Sequence, residues 1–254
     1  MRRALPWFGL LLLTISFVRL VRLPGPIHPP PALVARGERA LVVVLDPGHG
    51  GTDSGAMCGT IMEKNLTLDV ALRAELLLRL KGYATVLTRD SDRYVSLAER
   101  TAMGNHAADS LFISIHFNDG QRATASGVET YYAGQSPGPA GFLSWLSFWQ
   151  RTASASLAAK SESLARFIQA ALVERTRALN RGIKSEQFYV IANVRHPAAL
   201  VEGGFITNKS DVTKLATTEY RQQMAMAISD GVQRHWEATR RDEPTLTLAA
   251  ARPE

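Results

Sequence analysis

Leu41-Val-Val-Val-Leu-Asp-Pro-Gly-His49-Gly-Gly decides how this chain is read. Five apolar residues, three of them β-branched, stop at Asp46 and Pro47, and a histidine follows between glycines. Such a run reads as a strand buried on both faces, and its glycines let the backbone turn sharply and approach a ligand. Two further stretches repeat the pattern: Leu111-Phe-Ile-Ser-Ile-His116-Phe-Asn118 and Ala199-Leu-Val-Glu202-Gly-Gly-Phe. Each reads as a strand whose last residue changes abruptly from apolar to functional. In open parallel sheets ligands bind outside the carboxyl ends of the strands. Three strand ends carrying His, His and Glu can therefore meet at one site, although they lie about 150 residues apart.

Between these strands the pattern alternates. A helix is expected from Glu63 to Lys81, with Leu66, Val70, Leu77 and Leu80 on one face, Leu76 beside them, and Gly82 as its stop. Tyr83 to Thr88 suits a strand, and Ser96-Leu-Ala-Glu99 is a capping box opening a helix to about His106. Val128 to Tyr132 reads as another strand. A long helix carries Leu164, Phe167, Ile168, Ala171, Leu172 and Leu179 on one stripe. Gln187 to Ile191 and Ala199 to Val201 read as strands, and a last helix buries Tyr220, Met224, Ala227, Ile228 and Val232. The expectation is an α/β fold: a single domain over about 39–237, with a mostly parallel twisted sheet and helices on both faces.

Residues 141–160 stand apart. They follow a breaker cluster, Gln135-Ser-Pro-Gly-Pro-Ala-Gly, and open with Phe142-Leu-Ser-Trp-Leu-Ser-Phe-Trp149. In a helix, Phe142, Trp145, Leu146 and Trp149 share a face, which packs on the core or serves as a lid or contact surface.

Of the 254 residues 46% are hydrophobic, enough for a sizeable core. The net charge of +6 is uneven. Residues 1–40 hold six Arg against one Glu, and the rest holds 23 basic against 22 acidic residues. The body thus has no electrostatic footprint for nucleic acid, and no nucleic-acid partner is expected. Met1-Arg-Arg leads into an apolar run from Ala4 to Val18. Residues 1–23 accordingly read as a signal peptide or an N-terminal membrane anchor, both open at this point. Residues 24–38 are a Pro-rich linker and 238–254 a polar C-terminal tail. Export to the cell envelope follows. The lone Cys58 allows no intrachain disulfide and reads as a small loop residue.

The chemistry lies in a combination. The loop Gly48-His-Gly-Gly-Thr-Asp53 lacks the third glycine of a dinucleotide fingerprint and the Gly-Lys-Ser/Thr of a P-loop, which argues against nucleotides. Glu63 opens a helix, where a carboxylate also simply complements the dipole. Glu202 is costly to bury without a partner or a task. Two His and one Glu with an open fourth position form a standard catalytic zinc set, and a second Glu can act as base. Asn118, Arg100, Asn208 and His196 are further candidates for lining the cleft, each with a structural role as the alternative.

Four blocks carry a family resemblance: Leu45-Asp-Pro-Gly-His-Gly-Gly-Thr-Asp-Ser-Gly-Ala56, Glu63-Lys-Asn-Leu, Ala108-Asp-Ser-Leu-Phe-Ile-Ser-Ile-His-Phe-Asn118 and Pro197-Ala-Ala-Leu-Val-Glu-Gly-Gly-Phe-Ile-Thr-Asn208. Thr88-Arg-Asp, Ser96-Leu-Ala-Glu-Arg100 and Arg181-Gly-Ile-Lys184 add weaker support. In these the chain resembles the zinc-dependent N-acetylmuramoyl-L-alanine amidases of bacterial cell walls, the group called amidase family 3. The resemblance implies that His49, Glu63 and His116 bind Zn2+, that Glu202 is the catalytic carboxylate, and that the substrate is peptidoglycan. It departs from the family pattern at Phe117, usually a small residue, and in the Trp-rich insert. Some members carry an inserted helix that blocks the site until a partner removes it, so an activator protein acting on 141–160 is an expectation, as is a monomeric enzyme. A zinc hydrolase for another envelope amide and a non-enzymatic wall-binding protein are the rival readings.

Overall fold

The computed structural model describes residues 41–120, 122, 124–135 and 147–242, and for 147–154 and 242 the backbone alone. The N-terminal stretch 1–23, the linker 24–38, residues 141–146 of the insert and 243–254 of the tail lie outside the described residues.

Six strands form one sheet: β1 (Val42–Pro47), β4 (Ala84–Leu87), β5 (Ser110–Asn118), β6 (Val128–Tyr132), β7 (Asn180–Ser185) and β8 (Ala198–Phe205), in the order β4-β1-β5-β8-β6-β7. Two short strands, β2 (Met57–Cys58) and β3 (Ile61–Met62), make a separate antiparallel pair. The helices are α1 (Glu63–Leu80), α2 (Leu97–His106), α3 (Ser147–Thr176), α4 (Tyr189–Ala192), α5 (Lys209–Leu215) and α6 (Thr218–Asp242). β4, β1, β5 and β8 run parallel, β6 is antiparallel to β8, and β7 is parallel to β6. The carboxyl ends of β1, β5 and β8 thus meet the amino ends of β6 and β7 along one edge of the sheet. The expected α/β fold with a mostly parallel sheet is present.

Side chains alternate across the sheet, and both faces are covered. Val43, Leu45, Ile113, Ile115 and Val201 join the larger core with α1, α3 and α6. Val44, Phe112, Tyr131 and Leu200 join a smaller core with Val190 and Ile191 of α4. α3 and α6 pack so closely that a Cβ on Gly231 would lie 2.6 Å from the Ile168 Cα. Among the described residues no helix is long and apolar enough to cross a membrane.

Several local expectations change. α1 has the expected limits, but its buried stripe is Leu66, Val70, Ala71, Ala74 and Leu78. Leu76 and Leu80 are 61% and 76% exposed. The small alanines bring the helix close to the sheet, which turns the larger leucines outward. α3 ends at Thr176 because Arg177 adopts a left-handed backbone (φ 55°), and Leu179 beyond it is exposed. The segment Asn180–Ser185, for which no element was expected, is the edge strand β7. The strand expected at Gln187 to Ile191 is instead an irregular stretch that ends in the extended residue Phe188 and leads into α4. The described part of the insert, 147–160, opens α3. There the Ser161 hydroxyl accepts from the Ala198 backbone N–H, at the far end of β8 from Phe205.

Candidate active site

The edge where the strand ends meet brings together residues that the sequence scatters. β1 delivers a loop from Gly48 to Gly51, clamped by two buried arginines. Arg100 donates to the carbonyls of Pro47 (2.6 Å) and His49 (2.7 Å) and to Asp46 Oδ1 (2.6 Å). Arg89 donates to the carbonyls of Pro47 (3.0 Å) and Gly48 (2.7 Å). The grip holds His49 in the left-handed region (φ 59°), a conformation rarely adopted by residues with a Cβ and frequent at functional sites. A Cβ on Gly48 would sit 2.2 Å from His116 Cε1, so glycine there is required by the His116 ring.

Glu63, first residue of α1, is 4% exposed and lies between the two histidines. Its Oε2 is 3.0 Å from His49 Nε2, and its Oε1 is 2.9 Å from His116 Nδ1. The Ala56 and Phe117 backbone N–H groups donate to the same carboxylate, at 2.9 and 3.0 Å. Burial works against its charge, but the hydrogen bonds and charges of His116 and His49 prevail and hold the carboxyl well below the usual range. Burial likewise opposes protonation of His49, and Glu63 and Asp53 overcome it, raising its pKa. Asp53 Oδ2 lies 2.8 Å from His49 Nδ1, which leaves Nε2 to face the cluster. His49, Glu63 and His116 each offer a ligand atom, all within 4.8 Å of one another. Two imidazoles and a carboxylate so placed suit a divalent zinc-type cation.

β5 and β8 continue past the residues expected to end them, to Asn118 and Phe205. His116 pairs with Glu202 in register, and the register then slips between them and the next pair, Asn118 with Phe205. Paired residues project from the same face of a sheet, so Glu202 stands beside the His-Glu-His cluster. Its Oε2 is enclosed and has no hydrogen-bond partner among the described residues. Burial first, then the charges of Glu63 and Glu129, push its pKa well above the ordinary carboxylate value. A cavity of about 370 Å³ opens next to the cluster, lined by His49, His116, Arg100, Tyr94 and Tyr189 among others.

All four residues singled out from the sequence, His49, Glu63, His116 and Glu202, thus converge. Of the further candidates, Arg100 lines the cavity and Asn118 Nδ2 reaches Glu129 (2.7 Å) on this edge. Asn208 caps α5, accepting from the Ser210 and Asp211 N–H groups. His196 precedes β8 at the opposite end of the sheet, near Asp109, and does not line the cleft. The sequence reading missed Asp53, four residues after His49, and Glu129, which faces Glu202 across the β6–β8 pair.

Comparison with known proteins agrees with this architecture. Residues 43–234 match the family model Amidase_3, described as N-acetylmuramoyl-L-alanine amidase. The N-acetylmuramoyl-L-alanine amidase LytC of Bacillus subtilis is 38% identical over 189 residues, covering 74% of this chain and 34% of LytC. The germination-specific N-acetylmuramoyl-L-alanine amidase of the same organism is 30% identical over 93% of this chain and 97% of its own length. The crystal structure of an N-acetylmuramoyl-L-alanine amidase from Clostridium difficile 630 superposes with a TM-score of 0.68 at 30% identity, covering 79% of this chain and 99% of that one. With its strand-end cluster and this likeness along most of its length, the chain belongs to the Amidase_3 family of N-acetylmuramoyl-L-alanine amidases.

Proposed function

We propose that this chain hydrolyses, in a zinc-dependent reaction, the amide between the lactyl group of N-acetylmuramic acid and L-alanine in peptidoglycan, with Glu202 as general base. The observation that carries the reading is the ligand cluster His49, Glu63 and His116, within 4.8 Å, beside a buried carboxylate oxygen that has no partner among the described residues. His49, Glu63 and His116 would hold the ion. When bound, zinc supplies Lewis acidity to the scissile carbonyl and lowers the pKa of water toward about 7.

The remaining work falls to side chains. Asp53 fixes the His49 tautomer, with Nε2 toward the ion. Arg89 and Arg100 keep the His49 loop in its left-handed turn. Glu202 takes a proton from the attacking water and passes it to the leaving amine nitrogen. Its enclosure and the neighbouring carboxylates raise its affinity for that proton.

Peptidoglycan lies outside the cytoplasmic membrane, so in this reading residues 1–23 export or anchor the chain, 24–38 space it, and 39–237 carry the activity in the envelope, in wall remodelling or daughter-cell separation. Residues 147–160 open α3, which joins the larger core from Leu164 onward, and an activator engaging the 141–160 insert is part of this reading.

The test is incubation of the purified chain with peptidoglycan, with and without zinc and a chelator, followed by mass spectrometry. Peptides with a free L-alanine amino terminus, lost on chelation and restored by zinc, support the proposal. Cleavage only within the stem peptide would replace it with a different zinc hydrolase.

A further inference from the structure

One motif noted in the sequence, Arg181-Gly-Ile-Lys184, takes no part in this chemistry, yet it lies on the same edge. β7 begins where β8 reaches Glu202, with Glu129 of β6 between them: Glu129 pairs with Glu202, and Val128 with Asn180. Glu129 is 2% exposed and fully engaged. Its Oε1 accepts from Asn118 Nδ2 (2.7 Å) and the Tyr131 hydroxyl (2.6 Å). Its Oε2 accepts from both Arg181 Nε (2.7 Å) and Lys184 Nζ.

Two cations on one carboxylate oxygen exceed the charge of Glu129 itself. Both remain accessible, their side chains 31% and 39% exposed. Arg181 is fixed by Nε and by stacking on Phe205, with its guanidinium carbon 4.9 Å from the ring centre. It donates through Nε alone, which leaves the paired Nη groups without an acceptor among the described residues. A guanidinium held by one edge presents the other as a two-pronged donor suited to a carboxylate. Lys184 sits over the Tyr131 ring at 5.4 Å and adds a point charge. Neutralising Glu129 alone would take one cation, and the structure brings two to the same oxygen.

We propose that Arg181 and Lys184, oriented by Glu129, form a subsite beside Glu202 for a free carboxylate on the peptide portion of the substrate. The inference rests on the amidase reading and specifies what that site selects. Adjacent strands lie about 4.8 Å apart, so β7 is about 10 Å from β8, and an extended peptide advances about 3.4 Å per residue. The recognised carboxylate therefore belongs within about three residues of the scissile amide. Arg181 and Lys184 are specificity residues, and Glu129 is a positioning residue acting through them.

The test pairs two synthetic muramoyl tripeptides, one with a free carboxylate on the second amino acid and one with a carboxamide there. The zinc-loaded full chain is assayed for kcat and KM, and binding of each compound is measured by calorimetry. The expected result is a preference for the carboxylate of about 10- to 100-fold, expressed mainly in KM, the size of a charge-assisted hydrogen-bond pair. In Arg181→Gln the preference falls to within about threefold, and Arg181→Lys restores part of it. Lys184→Gln, which keeps the Arg181 fork, gives an intermediate loss.

Equal treatment of the two compounds by the wild type overturns the subsite, and so does a preference that survives in Arg181→Gln. If neither compound is hydrolysed, the amidase reading fails, and calorimetry still decides the subsite: tighter binding of the carboxylate form, lost in Arg181→Gln, supports it, and equal binding refutes it.

Discussion

Asp46 on β1, fully buried, and Glu202 on β8, with one enclosed carboxylate oxygen, lie on the cleft face of one sheet and are treated in opposite ways. Asp46 is saturated: Oδ1 accepts from Thr88 Oγ1 and Arg100 Nη1, both at 2.6 Å, and Oδ2 accepts from Ser114 Oγ at 2.8 Å. Glu202, one strand beyond β5, has an enclosed oxygen with no partner among the described residues. Burying a carboxylate is expensive unless it is paired and hydrogen-bonded. The first group meets that condition and braces the loop that carries His49. The second does not, and that unmet requirement supports the proposal that Glu202 is the general base. Glu129, with four donors, belongs with Asp46.

This contrast can be broken or sharpened by substitution. The largest effect is expected at the cluster: His49→Ala removes a ligand, so zinc content measured by atomic absorption and all chelator-sensitive turnover are lost together. A variant with full zinc occupancy would contradict the ligand assignment. Asp46→Asn strands Arg100, 3% exposed, without its counter-charge and should cost about 3–5 kcal/mol in denaturant unfolding. A loss under about 1 kcal/mol would show that Asp46 is not a brace.

Asp53→Asn should lower zinc affinity by about 10- to 100-fold with the fold intact, the usual cost of losing a partner that orients a metal-bound imidazole. Unchanged affinity in a chelator competition would remove Asp53 from the site. The smallest effect concerns acid. In the folded state burial opposes the charge of Glu129, and Lys184, Tyr131, Arg181 and Asn118 together lower its pKa to about 2, from an ordinary 4.5. A lowered carboxyl pKa stabilises above the ordinary value and loses that contribution as pH falls toward the folded one. The stability gap between wild type and Glu129→Gln should therefore close between about pH 4.5 and 2. A constant gap across that window would contradict the assignment.

The same contrast explains what could be read from the sequence. His49, His116 and Glu202 were legible because each interrupts an apolar run, a change that burial makes costly unless the residue has a task. Glu63 was legible only in combination, since a carboxylate opening a helix has an ordinary explanation. Glu129 was hidden because its partners stand between 2 and 55 positions away, and nothing local announces them. β7 escaped because an edge strand is half solvated, and Asn180–Ser185 lacks the apolar alternation of a covered one. The run Tyr189–Ala192 is a single apolar turn whose length suits helix and strand equally. His196 was misplaced because closeness in sequence to Glu202 says nothing about which end of the strand a residue occupies.

The most direct test of the account compares zinc content and peptidoglycan turnover in the wild type and Glu202→Gln. The account predicts equal zinc, an unfolding midpoint no lower than the wild type because an unpaired buried carboxyl is gone, and a turnover loss of about 10²- to 10⁴-fold. Turnover within about threefold of the wild type, at equal zinc, would contradict it.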